Sequence, residues 1–392
     1  MLTASECERL VEMRHHLHRH PELSCVEERT AAFVADRLRE LGLPVATGIG
    51  GHGLVATVGR EGPAVGLRAD MDALAITELT GLPHASQAPG VMHACGHDGH
   101  MAILIGAATI LQRQGVAGQV HLVFQHAEER YGGARMMLDA GLLDRFPMQR
   151  IFGLHNWPGL PVGKIAVRPG PMMAAADRVT IDIEGKGGHG AHPHQAVDPV
   201  LVAGHIITAA QSIVARNVSP IDTAVVSLCA MHAGHPGAMS VIPRTAQLVG
   251  TVRTFRSRTQ DMIETRLTEL VASIAAAFGA SAKLAYERVY PATINSAREA
   301  LFAAEVARTV VGRDNVIDDL DPSMGSEDFS FMLQARPGAY ARLGQGGSGG
   351  GPACFLHDSR YDFNDEVIPI GAGYLAALAE QAMPLESGGA KR

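Results

Sequence analysis

Short apolar runs alternate with helix-length stretches through the first half of this chain, and the alternation breaks near Asp177. The runs GLVATV (53–58), AVGLRA (64–69), QVHLVF (119–124), IFGL (151–154) and KIAVR (164–168) are too short for helices and read as buried strands. Between them, Ser5-x-x-Glu8 and Ser24-x-x-Glu27 read as capping boxes that open two helices. Pro21 stops the first helix, Gly42 with Pro44 stops the second, and a third is expected over 99–114, ended by Gly115. Buried strands interleaved with helices predict an α/β domain on a mostly parallel central sheet. At RVTIDIEGKGG the pattern changes to strict alternation at Val179, Ile181 and Ile183, the mark of a strand with one wet face. A helix at 197–215, strands at 223–231 and 245–255, and a helix at 258–278 follow; Ser257-x-x-Gln260 caps the last and Gly279 ends it. Near Pro291 the α/β style returns, with helices at 297–311, 326–335 and 368–383. The expected organisation is a discontinuous α/β domain (1–176 and 291–392) carrying an inserted α+β domain (177–290). A length of 392 residues, too long for one core, agrees with two domains. GQGGSGGGP (344–352) reads as a flexible loop before His357, and the last nine residues as a frayed tail.

Composition narrows the class of partner. The formal net charge is -7 and Lys and Arg form no dense block, which argues against nucleic acid or an anionic membrane as partner. The longest apolar run, Met101 to Leu111, has 11 residues, too few to span a bilayer. The segment MLTASECERLVEM has neither a basic nor an apolar region of the kind that directs secretion. Five scattered cysteines (Cys7, Cys25, Cys95, Cys229, Cys354) lack framework spacing, so a reducing cytoplasm is the expected location.

Four segments concentrate metal-ligand residue types on expected loops and strand ends: His93-Ala94-Cys95-Gly96-His97-Asp98-Gly99-His100, Glu128-Glu129, His155 and His357. Sites in open α/β sheets form outside the carboxyl ends of strands, and Glu129 and His155 each follow one. Thiolate, imidazole and carboxylate together suit zinc, manganese or cobalt. Each segment alone is weak: an isolated histidine such as His357 is most often structural, and two adjacent glutamates usually mark a solvated turn. A hydrolytic metal site, however, needs one carboxylate to hold metal and a second, left off it, to take a proton from the attacking water. Cys95 has a rival reading as a nucleophile with a histidine base, but its position two residues from His97 favours a ligand.

Further motifs run through nearly the whole chain: RHHLHRHPELS (14–24), GLRADMDALAI (66–76), MHACGHDGHMA (92–102), FQHAEERYGGARMM (124–137), GLHNWPGLPVGKI (153–165), GKGGHGAHPH (185–194), GTVRTF (250–255), MGSEDFSFML (324–333) and LHDSRYDFNDE (356–366). In these the chain resembles the metallopeptidase-related aminoacylase family that includes hippurate hydrolases and plant auxin-conjugate hydrolases. The resemblance implies that Cys95, His97, Glu129, His155 and His357 hold two divalent ions per subunit, zinc or manganese, with cobalt or nickel as further possibilities. It implies that Glu128 is the general base and that His189, on the inserted domain, steadies the tetrahedral intermediate, reaching a neighbouring subunit's site. Arg253 matches an arginine that holds the substrate carboxylate. Two departures stand out: Ser240-Val241-Ile242-Pro243 replaces the usual Asn-Val-Ile-Pro, which alters a substrate contact, and His126 replaces a proline before Ala-Glu-Glu. Asp70 and Asp72 are placed to orient ligands rather than to bind metal, and His100 stays off the ions.

The expected activity is hydrolysis of the amide bond of small N-acyl amino acids, giving a carboxylic acid and a free amino acid, with the inserted domain closing over the substrate. The expected assembly is a homodimer or larger homo-oligomer, joined through that domain. Three rivals use the same residues: a dipeptidase or carboxypeptidase, a metal-loaded binding protein without turnover, and a metal-free cysteine hydrolase.

Overall fold

The computed structural model describes residues 1–347 and 354–383. The expected tail, and the expected Gly-rich loop from Ser348 to Pro352, lie outside the described residues. Two compact units emerge: Met1–Met172 with Thr293–Asp321 and the chain from Asp328 onward, and Met173–Ala292 with Pro322–Glu327.

In the first unit, eight strands among the described residues form one sheet, in the order Val45–Ile49, Gly53–Val58, Gln119–Gln125, Ala64–Asp70, Arg150–Pro158, Gly338–Gly346, Ile165–Ala166, Val316–Ile317. Its centre is parallel: Ala64–Asp70 runs with Gln119–Gln125 and Arg150–Pro158, and Gly338–Gly346 runs with Arg150–Pro158. The edge strands Val45–Ile49 and Gly53–Val58 are antiparallel to their neighbours. This is the mostly parallel sheet that the alternating pattern predicts. Every residue of Ala64–Asp70 is buried, as a strand covered on both faces requires. The helix His97–Gln114 is buried along nearly its whole length and packs against Ala4–Arg19 and Ile368–Gln381.

Several local expectations change. The first helix, Ala4–Arg19, is capped by Thr3 and Glu6 in a reciprocal box, not by Ser5 and Glu8. The second, Glu28–Glu40, takes no cap from Ser24, which donates to Asp72, or from Glu27, which accepts from the Ala127 amide; the Glu22 carboxylate accepts from its Thr30 amide instead. Helix Ser257–Ala277 likewise begins at Ser257 itself, and Gln260 donates to Asp177 instead of closing a box. The strand expected over 164–168 shrinks to Ile165–Ala166. The helix expected from 326 starts at Phe329, since the Asp328 carboxylate accepts from Arg68, Gln125 and the Ala134 amide.

The second unit is a four-stranded antiparallel sheet in the order Ala224–Ala233, Thr245–Thr254, Ala175–Glu184, Ser281–Tyr290. Val179, Ile181 and Ile183 point to its core, where they meet Val202, Ile206 and Ile213 of helix Pro199–Arg216 and Ile263, Leu267 and Val271 of helix Ser257–Ala277. Helix Pro199–Arg216 is long and apolar enough, by length and composition alone, to cross a membrane. Its apolar stripe, however, forms one wall of this core.

A buried ionic cluster joins the first helix to the start of helix His97–Gln114. Arg14 Nε donates to Asp98 Oδ2 at 2.8 Å, and His18 Nδ1 lies 2.8 Å from the same oxygen. Burial works against a charged His18, but Asp98 and Glu78 outweigh it and raise the imidazole to about 9. An unfolded histidine titrates near 6.5. The folded-state value is the higher one, so this stabilisation is complete below about pH 6.5 and is lost as pH rises through about 9. In metal-free protein the Tm should therefore fall between these values, and His18→Gln should remove on the order of a few degrees of that fall. Thermal melts across this range that drop equally in both proteins would detach His18 from the effect.

Candidate metal centre

The parallel strands carry the candidate donors at their carboxyl ends. Ala64–Asp70 leads into Asp72, Gln119–Gln125 leads into Glu128 and Glu129, and Arg150–Pro158 bears His155 near its end. Cys95 and His97 stand at the start of helix His97–Gln114, opened by Gly96 in the left-handed region (φ 90°). A Cβ at Gly96 would lie 2.5 Å from Asn156 Oδ1 and 2.6 Å from Tyr361 Oη, so only glycine fits there.

Ligating atoms of Cys95, His97 and His155 lie within 4.8 Å of one another, as do those of Cys95, Glu129 and His357, and of His97, Glu128 and Glu129. The three groups share members, so all six side chains converge. Cys95 Sγ is 3.4 Å from His155 Nε2, and His357 Nε2 is 3.3 Å from Glu129 Oε1. Two rings are fixed from behind: His155 Nδ1–H donates to the Asn156 carbonyl at 2.6 Å, and His97 Nδ1–H to the Asp72 carbonyl at 2.9 Å. A nitrogen facing a carbonyl can only donate, so in each ring Nε2 is the atom left for the cluster, as a lone pair in neutral His155 and, in His97, once an ion displaces its proton. His97 Nε2 and Glu129 Oε1 are buried and make no hydrogen bond. Glu129 Oε1 lies 4.0 Å from His97 Nε2 and 3.3 Å from His357 Nε2, a spacing of donor atoms that fits a bound cation among them.

His357 reaches the cluster in a strained conformation, φ 67°, with its amide donating to the Ala94 carbonyl at 2.7 Å. Asp72 stands behind the donors: Oδ2 accepts from Glu129 N–H at 2.9 Å and from the Ser24 hydroxyl at 2.6 Å. Asp70 is held by Arg68 at 2.8 Å and lies 2.6 Å from His100 Nδ1. His100 Nε2 is in turn 2.7 Å from Asn156 Oδ1, so both its nitrogens are engaged away from the donor cluster. His126 is fully buried beside the turn, and burial lowers its pKa.

Burial and the Glu129 and Glu128 charges push the Cys95 thiol well above the ordinary value, so its thiolate forms only beside a compensating cation. Burial, reinforced by His100, pushes His155 well down, so it stays neutral. Burial opposes the His97 charge too, but Asp70, Asp72 and Glu129 together raise that ring to about 10.

Three candidate residues lie on the second unit. Strand Gly188–His189 pairs with Val241–Ile242, setting His189 opposite Val241, and Gly190 N–H donates to the Ser240 carbonyl at 2.7 Å. His189 and Ser240 therefore share one exposed turn region. Arg253 sits on strand Thr245–Thr254, part-buried, donating to the Thr251 hydroxyl. Sequence reasoning assigned Glu27 only the role of a helix cap and Asp328 none. Both sit in quoted or capping-like motifs, yet their partners are far away in sequence.

Fold and donor set together define a class: a metal-binding hydrolase built on an α/β sheet. The chain belongs to peptidase family M20/M25/M40, whose model matches residues 66–381. It is 40% identical to the hippurate hydrolase of Campylobacter jejuni over 94% of each chain. It is 39% identical to an N-acetylcysteine deacetylase of Bacillus subtilis, covering 95% of this chain and 96% of that one. Among solved structures, the Bacillus subtilis YXEP protein, described as a dinuclear metal binding peptidase of the M20 family, superposes with a TM-score of 0.83 at 35% identity, over 97% of this chain and 99% of that one.

Because the Asp72 carboxylate and carbonyl brace both Glu129 and His97, Asp72→Asn should weaken zinc binding about 10- to 100-fold. Competition with a chromophoric chelator measures this. Unchanged affinity would mean that Asp72 has no part in presenting the donors.

Proposed function

We propose that this chain hydrolyses the amide bond of small N-acyl amino acids of the hippurate kind, releasing a carboxylic acid and a free amino acid. The observation that carries the reading is the Glu128–Glu129 pair. A Glu129 oxygen lies among the ligating atoms of Cys95, His97 and His357, and the Glu128 carboxylate lies within reach of the same cluster. The likeness to a hippurate hydrolase and an N-acetylcysteine deacetylase over nearly the full length supports the substrate class. In this reading Cys95, His97, Glu129, His155 and His357 hold two divalent ions, zinc or manganese, and the dinuclear relative supports that number. When bound, the ions supply Lewis acidity at the acyl carbonyl and the attacking water.

The remaining chemistry belongs to the chain. Glu128 takes the proton of the attacking water on its carboxylate and passes it to the leaving amine nitrogen. His189 donates to the oxyanion as the carbonyl carbon becomes tetrahedral. Arg253 pairs with the substrate carboxylate, and the Ser240 hydroxyl offers a shorter polar contact than an asparagine would. We place the enzyme in the cytoplasm as a homodimer joined through residues 177–290, with His189 serving the partner's site.

Glu128→Gln should lower kcat about 10²- to 10⁴-fold with metal content intact, whereas Glu129→Gln should lose metal. Rates on a panel of N-acyl amino acids and dipeptides, with zinc- and manganese-loaded protein, check both the base and the substrate class. A Glu128→Gln enzyme keeping more than about a tenth of the wild-type rate removes the base, and a preference for dipeptides removes the substrate class.

Mixing inactive His189→Ala chains with inactive Glu128→Gln chains should restore part of the activity, since some sites would then combine intact parts from both. Mixtures that stay dead despite proven subunit exchange would remove the shared site.

A further inference from the structure

The turn that presents Glu128 and Glu129 is held in a conformation that its own residues disfavour. Ala127 has φ 54°, in the left-handed region that an alanine rarely occupies. Its peptide is gripped on both sides. The carbonyl accepts from Gly133 N–H at 3.0 Å, and the amide donates to Glu27 Oε1 at 2.7 Å. Gly133 can come that close only because it lacks a Cβ, which would lie 1.6 Å from the His126 carbonyl oxygen. Glu27 comes from the connection between the first two helices, 100 residues away in sequence, and is fully buried. Burial pushes its carboxyl up to about 7, against the pull of neighbouring backbone amides. Burying a carboxyl costs folding energy that only its hydrogen bonds offset, and for Glu27 these come from backbone amides, Ala127 among them. Ser24, three residues earlier, secures Asp72, whose same carboxylate oxygen also accepts from the Glu129 amide. One short segment therefore braces both ends of the Ala127–Glu129 turn.

We propose that Glu27 is a positioning residue for the reaction: by clamping the Ala127 amide it keeps that residue left-handed and so aims the Glu128 carboxylate. The proposal rests on Glu128 being the base. Without the clamp, Ala127 relaxes toward ordinary φ values and Glu128 is aimed correctly in only a fraction of molecules. The strain at one such residue corresponds to a loss on the order of tenfold in that fraction. Glycine tolerates positive φ without this cost, so Ala127→Gly should compensate for a missing clamp.

The test is a double-mutant cycle on metal-loaded enzyme, read as kcat, KM and metal content. Glu27→Ala should lower kcat about tenfold, leaving KM within about twofold and metal content unchanged. Adding Ala127→Gly should bring kcat back to within about threefold of wild type. A Glu27→Ala enzyme with wild-type kcat overturns the proposal. So does a loss that Ala127→Gly does not relieve, or one that follows metal content, since either means that Glu27 only supports the fold. Should Glu27→Ala not fold, Glu27→Gln replaces it, because its amide oxygen can accept the same hydrogen bond. A kcat within about threefold of wild type then supports the clamp, and a loss of tenfold or more overturns it. Glu128→Gln assayed in parallel keeps the two ideas apart: if it stays active, the base assignment fails whatever Glu27 does.

Discussion

Asp72 ties together the parts of the chain that must meet. Its carbonyl fixes the His97 ring, and one carboxylate oxygen receives the Glu129 amide and the Ser24 hydroxyl. Three segments distant in sequence are thereby set to a common geometry before any ion arrives. A metal site built on loops needs this bracing, because a ligand misplaced by an ångström loses most of its value. The sheet makes the bracing possible: adjacent parallel strands deliver Asp72, the Glu128–Glu129 turn and His155 to one edge.

Beneath that edge lies a layer of buried charge. Arg68 pairs with Asp70 and Asp328, and Arg14 pairs with Asp98, all five side chains being almost fully buried. Such pairs add little net stability, since desolvation offsets most of their attraction. Removing one partner is costly, however, and the pairs therefore lock register. Asp70 lies 3.6 Å from His97 Nε2, and Asp98 follows His97 in sequence, so each ion pair sits beside that ring.

The alternation of buried runs with helices predicted the parallel sheet, because strands covered on both faces leave an unbroken apolar signature. Gly338–Gly346 escaped notice for the opposite reason: it is buried throughout, yet its composition is Gly-rich and carries no β-branched run. Residue types marked the segments that hold the candidate donors, and the family resemblance chose Cys95, His97, Glu129, His155 and His357 among them. Asp72 was expected to orient them, but its own partners were not foreseen. Ser24 and Glu27 look like a helix cap because Ser-x-x-Glu is the pattern of one, and only folding shows that both reach across to other loops. Asp328 looked like the interior of a helix start until its carboxylate was found on Arg68, Gln125 and Ala134. Capping patterns describe local hydrogen-bond supply, and here tertiary partners compete successfully for it.

The account stands on one claim, that the converging side chains around Cys95 are the metal centre and that the thiol is part of it. Zinc-edge X-ray absorption on stripped and zinc-reloaded protein tests this most directly. The account predicts one sulfur scatterer at roughly 2.3 Å among nitrogen and oxygen neighbours, lost in Cys95→Ser. A zinc shell without sulfur in the wild-type protein would contradict it.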